Sequence, residues 1–193
     1  MLHHLQPEEP ASSAQPINLF FALKPDPEAA KQAHAIAVRH RAARQMSGWP
    51  LAMNRLHVTL VSVGGFFGAV PDEFMQLALS VGDAVAMSPF DVRLDRALSF
   101  PRKTGKRPYV LLGGEDVAGM MPLHCSLVGA MFRMGLDIPM RASFSPHMTL
   151  LYDSTHQQET PVVPISWTAR EFVLIESHVG LTRHIERGRW RMR

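Results

Sequence analysis

The sequence carries the same four-residue pattern twice, 90 residues apart, and this duplication constrains the fold more than any other feature. Residues 57–60 read His-Val-Thr-Leu and residues 147–150 read His-Met-Thr-Leu. With ten histidines in the chain, chance predicts about 0.4 His-x-Thr triplets, and far fewer with apolar residues at the other two positions. Overlaying the halves with this offset aligns strand on strand and helix on helix. The duplication therefore predicts two similar α+β lobes related by a pseudo-twofold axis.

Apolar runs and turn residues predict the elements of the first half. Asp26 followed by Pro27 is typical of a helix N-cap and a first helical turn. We expect a strand at 17–23, a helix from Pro27 to Ser47-Gly48, a strand at 56–63 that Gly64-Gly65 closes, a helix at 71–87 and a strand at 90–99.

The second half repeats this plan. We expect a strand at 108–113, a helix from Glu115-Asp116 to about Met134, and strands at 146–152, 170–179 and 184–192. The helix has an apolar stripe that we assign to the core, formed by Val117, Met121, Leu123, Val128, Met131 and Phe132. His124 and Cys125 lie within this helix, and we expect both to pack there; a single cysteine excludes an internal disulfide.

Length and composition narrow the class of protein. A chain of 193 residues, 46% hydrophobic and 19% charged, fits one globular domain, and its net charge of +3 permits an anionic substrate without requiring one. No apolar run approaches the roughly 20 residues that span a bilayer, and the N-terminus has no hydrophobic secretion signal.

We expect a flexible leader at 1–16 and a single bilobal domain at 17–193. We also expect a cytoplasmic monomer with no membrane or protein partner.

Strand geometry gives the duplicated pattern a chemical meaning. Side chains alternate along a strand, so His57 and Thr59 share one face, as do His147 and Thr149. Their apolar neighbours then pack against helices and leave the polar faces lining a cleft between the lobes. One neutral histidine can accept a proton from an attacking oxygen while the other, protonated, donates one to a leaving oxygen. Each threonine hydroxyl can donate to a phosphate oxygen that gains charge in the transition state.

The paired motifs resemble the signature of the 2H phosphoesterase superfamily, which has one His-x-Thr-x motif in each lobe. The resemblance is closest to its RNA 2′,3′-cyclic phosphodiesterase branch, historically called 2′-5′ RNA ligases, and it covers about residues 17–179. It extends to Asn18–Asp26 (NLFFALKPD), to Arg55–Leu60 with Gly64, to Arg107–Gly113, and to Phe144–Leu150, in which Phe-x-Pro before the histidine is typical.

This resemblance implies a LigT-like α+β fold: two pseudo-twofold-related lobes, each an antiparallel sheet with helices on its outer face, around a central cleft. It implies a cyclic phosphodiesterase that needs no metal or other cofactor. The enzyme would hydrolyse 2′,3′-cyclic phosphates at RNA or nucleotide ends to 2′-phosphates, with reverse 2′-5′ ligation as a further activity. His57, Thr59, His147 and Thr149 are the implied catalytic residues.

Several positions depart from the family pattern and leave the substrate open. Asn18 stands where the branch often has arginine, and Val61-Ser62 and Leu151-Tyr152 follow the motifs where larger or basic residues are usual. The alternatives are a phosphodiesterase acting on 2′-5′ oligonucleotides or another small cyclic nucleotide, or an RNA-binding relative without catalysis. The remaining histidines lack His-Glu-x-x-His spacing, so we expect no metal site.

Substrate-binding candidates flank the cleft. Phe20 shares a strand face with Asn18 and would either stack on a base or belong to the core. The basic cluster between two predicted strands would either contact RNA phosphates or form a solvated loop; it comprises Arg102, Lys103, Lys106 and Arg107. Tyr152, directly after the second motif, completes the set.

Overall fold

The structure, a computed structural model, describes residues 14–114, 119–136 and 144–193. Across these ranges the chain forms one eight-stranded sheet and three α-helices. The elements in chain order are β1 (Pro16–Leu23), α1 (Pro27–Ala43), β2 (Val58–Phe67), α2 (Asp72–Asp83), β3 (Phe90–Ser99), β4 (Arg107–Leu112), α3 (Met120–Arg133), β5 (His147–Asp153), β6 (Thr160–Ala169), β7 (Glu171–His178) and β8 (Arg183–Arg191). No helix in these ranges is long and apolar enough to cross a membrane. Most of the expected leader at 1–16, and the expected helix start at Glu115-Asp116, lie outside the described residues.

The sheet consists of two four-stranded halves that meet at one seam. Its strands run in the order β6-β3-β4-β5-β2-β1-β7-β8, and all neighbours are antiparallel. Within the described residues, β2 and β5 pair only at Val58 and Met148. We call β2, β1, β7 and β8 the first lobe, and β5, β4, β3 and β6 the second lobe. β3 precedes the second half of the chain in sequence but belongs to the second lobe. β7 and β8 come from the second half but belong to the first lobe.

The repeat is visible in the positions of the elements. Adding 90 to the first residues of β1, α1 and β2 (16, 27 and 58) gives 106, 117 and 148, and the observed starts of β4, α3 and β5 are 107, 120 and 147. Each motif strand also has an extra residue relative to its neighbour at the same place in the repeat, Leu60 in β2 and Leu150 in β5, and β2 has a second one at Val63. The structure confirms the predicted α+β fold with two pseudo-twofold-related lobes.

The helices cover one face of the sheet and form a continuous core with it. α1 lies against β5 and β6 of the second lobe, whereas α2 and α3 lie against strands of the first lobe. Val58, Leu60, Met148 and Leu150 point into this core, as expected from strand alternation. The opposite face of the sheet therefore carries the histidines and threonines of both motifs.

Local sequence sets where α1 begins. Asp26 caps the helix, since its Oδ1 accepts a hydrogen bond from Ala29 N at 2.8 Å, and Pro27 is the first helical residue. The helix ends at Ala43, earlier than Ser47-Gly48, because the chain turns at Gln45 with a φ of 51°.

Two other predicted boundaries were wrong. β2 does not end at Gly64-Gly65 but continues to Phe67, because both glycines pair with β1, opposite Leu19 and Asn18. α2 ends at Asp83 rather than at residue 87. Partner strands and tertiary packing decide such ends, which a local pattern does not contain.

The predicted apolar stripe of α3 was partly wrong. Leu123 and Met131 are buried as expected, but Met121 and Phe132 are exposed, and so is Cys125. The buried side chains of the helix are Met120, Leu123, Leu127, Ala130 and Met131. Their spacings of three, four, three and one residues follow one face of an α-helix, whereas Met121, Cys125 and Phe132 point away from it. Val117 lies outside the described residues.

The sequence reading missed β6 at the edge of the second lobe. This strand contains Pro161 and Pro164, which cannot donate a hydrogen bond to a neighbour and so disguise a strand in the sequence. In the part of the chain that the structure describes, β6 pairs only with β3, and such an edge position tolerates prolines because the other side of the strand needs no donors.

A buried carboxylate ties the chain after α1 to the end of β5. Asp153 is fully buried, and it accepts hydrogen bonds from Gly48 N at 2.7 Å, from Ser47 Oγ at 3.1 Å, and from the backbone and hydroxyl of Thr155. Burial acts to raise the pKa of Asp153, but these four hydrogen bonds outweigh it and hold that pKa well below its ordinary value. The ionised carboxylate of Asp153 therefore anchors the end of β5, and it depends on the four hydrogen bonds from Ser47, Gly48 and Thr155 to remain buried.

We expect Asp153→Ala to lower the free energy of unfolding by about 3 kcal/mol, because the donors around it would lose their acceptor inside the protein. Urea unfolding at pH 7 measures the change. Glu73→Ala, which removes an exposed carboxylate from the first turn of α2, is the control and should cost less than about 1 kcal/mol. Equal effects for both variants would contradict the assigned role.

Candidate active site

The seam between the lobes brings the four motif residues together. Val58 and Met148 pair across it, and both side chains are fully buried on the helix side. Because antiparallel partners run in opposite directions from this pair, His57 comes beside Thr149 and Thr59 beside His147. All four side chains are half-buried on the opposite face. The four expected side chains therefore lie together on one face of the sheet, and the space in front of them is called the cleft.

The two histidine rings are oriented by the same hydrogen bond. Nδ1 of His57 lies 2.7 Å from the carbonyl oxygen of Arg55, and Nδ1 of His147 lies 2.8 Å from that of Ser145. A carbonyl only accepts, so each Nδ1 carries the proton and donates it. Nε2 of each ring is then the nitrogen that is able to accept a proton. The identical anchoring two residues before each histidine follows the 90-residue repeat.

The surroundings of the two histidines differ. Phe20 stacks on His57 with ring centroids 5.0 Å apart, and His184 meets it edge-on at 5.3 Å. Burial lowers the pKa of His57; its hydrogen bond to Arg55 acts in the opposite direction, and the charge of His147 lowers the pKa further. The His147 ring contacts Phe100 edge-on at 4.7 Å. Burial thus favours the neutral form of the His57 ring over the protonated one.

His184 is a neighbour of the site that the sequence did not reveal. It is the second residue of the last strand, and the pairing of β7 with β8 and of β7 with β1 carries it to His57. Burial lowers the pKa of His184 to about 4, with further contributions from the charges of His57, Arg55 and Lys24. A lone histidine in a strand has no spacing that would have marked it, so sequence reasoning had no signal for this contact.

The candidate substrate-binding residues lie in β1, in the loop between β3 and β4, and at the ends of β4 and β5. Phe20 lies on the cleft side of the sheet but is only 8% exposed and covers the His57 ring. The exposed loop between β3 and β4 follows Phe100, which contacts His147; it contains Arg102, Lys103 and Lys106. The loop thus begins one residue after a side chain that contacts His147.

Two further candidates lie at the ends of the motif strands. Arg107 opens β4 and donates to the carbonyl oxygen of Ser154 at 2.8 Å. Tyr152 is 43% exposed, because the extra residue at Leu150 turns it to the face that carries His147. Ser62 occupies the corresponding exposed position in β2, after the matching irregularity in that strand.

Comparison with known proteins was made at the level of sequence and of structure. Residues 25–181 match the sequence profile of the 2′-5′ RNA ligase superfamily. No curated protein matches the chain. Escherichia coli LigT in its apo form is 27% identical and superposes with a TM-score of 0.70, over 93% of this chain and 99% of LigT. LigT complexed with 3′-AMP gives 26% identity and a TM-score of 0.69, over 92% and 99%. The Thermus thermophilus protein TT0787 has the same fold, with 21% identity and a TM-score of 0.74, over 91% and 98%.

The lowered pKa of His184 predicts a pH dependence of stability. The folded state keeps this ring neutral down to about pH 4, whereas the unfolded chain protonates it below about pH 6.5. The contribution of His184 to stability is therefore fully present above pH 6.5 and is lost as the pH decreases towards 4.

Between pH 7 and pH 5 the free energy of unfolding of the parent protein should decrease by about 1 kcal/mol more than that of His184→Asn, as measured by urea unfolding. His156→Asn, at an exposed position, should behave like the parent; identical losses in all three proteins would contradict the prediction.

Proposed function

Because the chain belongs to the 2′-5′ RNA ligase superfamily of phosphoesterase- and ligase-like enzymes, we propose that it hydrolyses the 2′,3′-cyclic phosphate at an RNA or nucleotide end to a 2′-phosphate. The observation that carries this proposal is the matched pair of histidines, one from each lobe, whose Nδ1 atoms are held by carbonyl oxygens. Phosphodiester hydrolysis needs one proton acceptor and one proton donor at the same centre, and this pair provides both.

The reaction balances with these two groups. Nε2 of one histidine removes a proton from water while the water oxygen attacks phosphorus. The bond from phosphorus to the 3′ oxygen breaks, and Nε2 of the other histidine gives its proton to that oxygen. The products are a 2′-phosphate and a 3′ hydroxyl, with the protonation states of the two rings exchanged. With the 5′ hydroxyl of a second RNA end in the place of water, the same two groups would break the same bond to the 3′ oxygen and form a 2′-5′ phosphodiester.

Thr59 and Thr149 are proposed to bind the phosphate itself. Each hydroxyl lies on the same face as a histidine and, across the seam, beside the histidine of the other lobe. A hydroxyl donates best to an oxygen whose charge is growing, which in this reaction is a non-bridging phosphate oxygen. Two donors on opposite sides of the phosphate hold it between the two Nε2 atoms, and this placement lowers the entropic part of the barrier.

The solved structures of E. coli LigT support a nucleotide as the ligand of this cleft. That protein has been crystallised with 3′-AMP, with ATP, with NADP+ and with phosphate. A cleft with two histidines and two hydroxyls suits the same chemical class in this chain. Burial lowers the pKa of His57 and so disfavours its protonated form. An anionic phosphate bound beside the ring would stabilise the protonated form and raise this pKa again.

We expect His57→Ala and His147→Ala each to reduce kcat on adenosine 2′,3′-cyclic phosphate by about 10²–10⁴-fold, because each removes a proton-transfer group. EDTA should leave the activity of the parent protein unchanged, since the proposed steps use protein side chains alone. Separation of 2′-AMP from 3′-AMP identifies the product.

The exposed His156 provides the matched control for these variants. His156→Ala should retain the parent activity, and circular dichroism should show that all variants are folded. Full activity in His57→Ala or in His147→Ala would overturn the mechanism. RNA binding without turnover by the parent protein would favour the non-catalytic alternative instead.

The proposed pair of histidines also predicts a bell-shaped dependence of kcat/KM on pH. One ring must be neutral and the other protonated, so each contributes one limb. Since burial lowers the pKa of His57, the limb that it sets should lie below pH 6.5 whichever role it has. Initial rates on the cyclic nucleotide between pH 4 and 9, with fluorescence as a check on folding at each pH, test this. A flat profile would contradict it.

A further inference from the structure

A second cavity, outside the Thr59–His147 side of the cleft, opens next to His57. It has a volume of about 340 Å³ and lies between the turn before β2, the end of β1 and the turn that joins β7 to β8. His57 and His184 form one wall. His57 also belongs to the cleft, so its ring separates this cavity from the position proposed for the cyclic phosphate.

Three basic side chains line the cavity: Lys24, Arg55 and Arg183. Nε of Arg55 is buried and has no hydrogen-bond partner among the described residues. Buried polar groups are almost always paired in native proteins, so this N–H indicates a missing acceptor. Arg183 has no carboxylate partner within residues 14–114, 119–136 and 144–193. The cavity thus offers guanidinium donors that the protein itself does not use.

One acidic side chain, Glu186, also lines the cavity, and basic partners neutralise it. It receives two hydrogen bonds of 2.7 Å from Arg189, and its carboxylate lies 3.7 Å from the Lys24 ammonium group. Two uncompensated guanidinium groups remain towards the cavity. This charge balance fits a monoanion or dianion of the size of a phosphate, since guanidinium groups bind phosphate oxygens in pairs.

We propose that this cavity binds the phosphate on the 5′ oxygen of the nucleotide that carries the cyclic phosphate, so that RNA ends are better substrates than free cyclic mononucleotides. The inference rests on the proposed function and names its substrate class. In a ribonucleotide the two phosphates are attached to the same sugar. The cleft and the cavity are likewise neighbours, separated by the ring of His57.

The turn between β7 and β8 holds Arg183 in this place. Gly180 has a φ of 85° and Thr182, a cavity-lining residue, has a φ of 53°. A positive φ at a threonine costs free energy and persists only where the surrounding structure holds it. Thr182 directly precedes Arg183, the first residue of β8, and both line the cavity.

Three substrates distinguish the contribution of the 5′-phosphate from that of an additional nucleoside. They are adenosine 2′,3′-cyclic phosphate, its 5′-phosphorylated form, and the dinucleotide ApA with a 2′,3′-cyclic phosphate end. We expect the two substrates with a 5′-phosphate to have kcat/KM values about tenfold higher than the first, mainly through KM, because one charge-assisted contact is worth about this factor. Their KM values should also rise more steeply with salt.

Arg183→Gln should remove this advantage and leave kcat/KM for adenosine 2′,3′-cyclic phosphate unchanged. Arg55→Gln should act in the same direction, while its backbone carbonyl still anchors His57. Arg191→Gln removes the same charge from the far end of β8, about 26 Å along the strand, and should keep the advantage. A gain for the dinucleotide alone would assign the effect to its extra nucleoside and would overturn the inference, as would equal losses on all substrates in Arg183→Gln.

A binding measurement keeps this inference separate from the proposed function. If no substrate is turned over, the proposed function fails, but calorimetry can still compare adenosine 2′,5′-bisphosphate with 2′-AMP. About tenfold tighter binding of the bisphosphate to the parent protein, lost in Arg183→Gln and kept in Arg191→Gln, supports the cavity as a phosphate site. Equal affinities for the two nucleotides would overturn it.

Discussion

The pairing of Val58 with Met148 is the contact on which the candidate site depends. It joins two four-stranded lobes into one sheet, and both side chains are fully buried against the helices. Strand alternation then requires the residues on either side of this pair to face the other way. One seam thereby places two imidazoles and two hydroxyls around a common space. The seam itself is short, so the shared helical core beneath it must hold the lobes in register.

Pseudo-symmetry supplies two equivalent histidines, and burial makes them unequal. Both Nδ1 atoms bind the carbonyl two residues earlier, so the same nitrogen of each ring is left for chemistry. His57 is packed between Phe20 and His184, and this burial lowers its pKa. The duplicated backbone provides the geometry, and the unique neighbours provide the difference.

The modest net charge of +3 conceals an uneven use of arginine. In the last strand, Arg187 binds the buried carboxylate of Glu176, and Arg189 binds Glu186. These pairs neutralise charge and stabilise the first lobe. Arg183, at the start of the same strand, lines the cavity beside His57. The arginines of the last strand thus include structural cations, Arg187 and Arg189, and a cavity-lining one, Arg183.

The sequence by itself determined the repeat, the strand that carries each motif, and the capping of α1 by Asp26. Each of these depends on residues close together in the chain, so a local pattern contains it. It did not determine that β6 exists, that Cys125 is exposed, or that His184 lies beside His57. Those features depend on which strands pair and which helix face meets the sheet, and such contacts join residues far apart in sequence. Only the tertiary structure decided them, because burial and charge at a position are set by every element that packs around it.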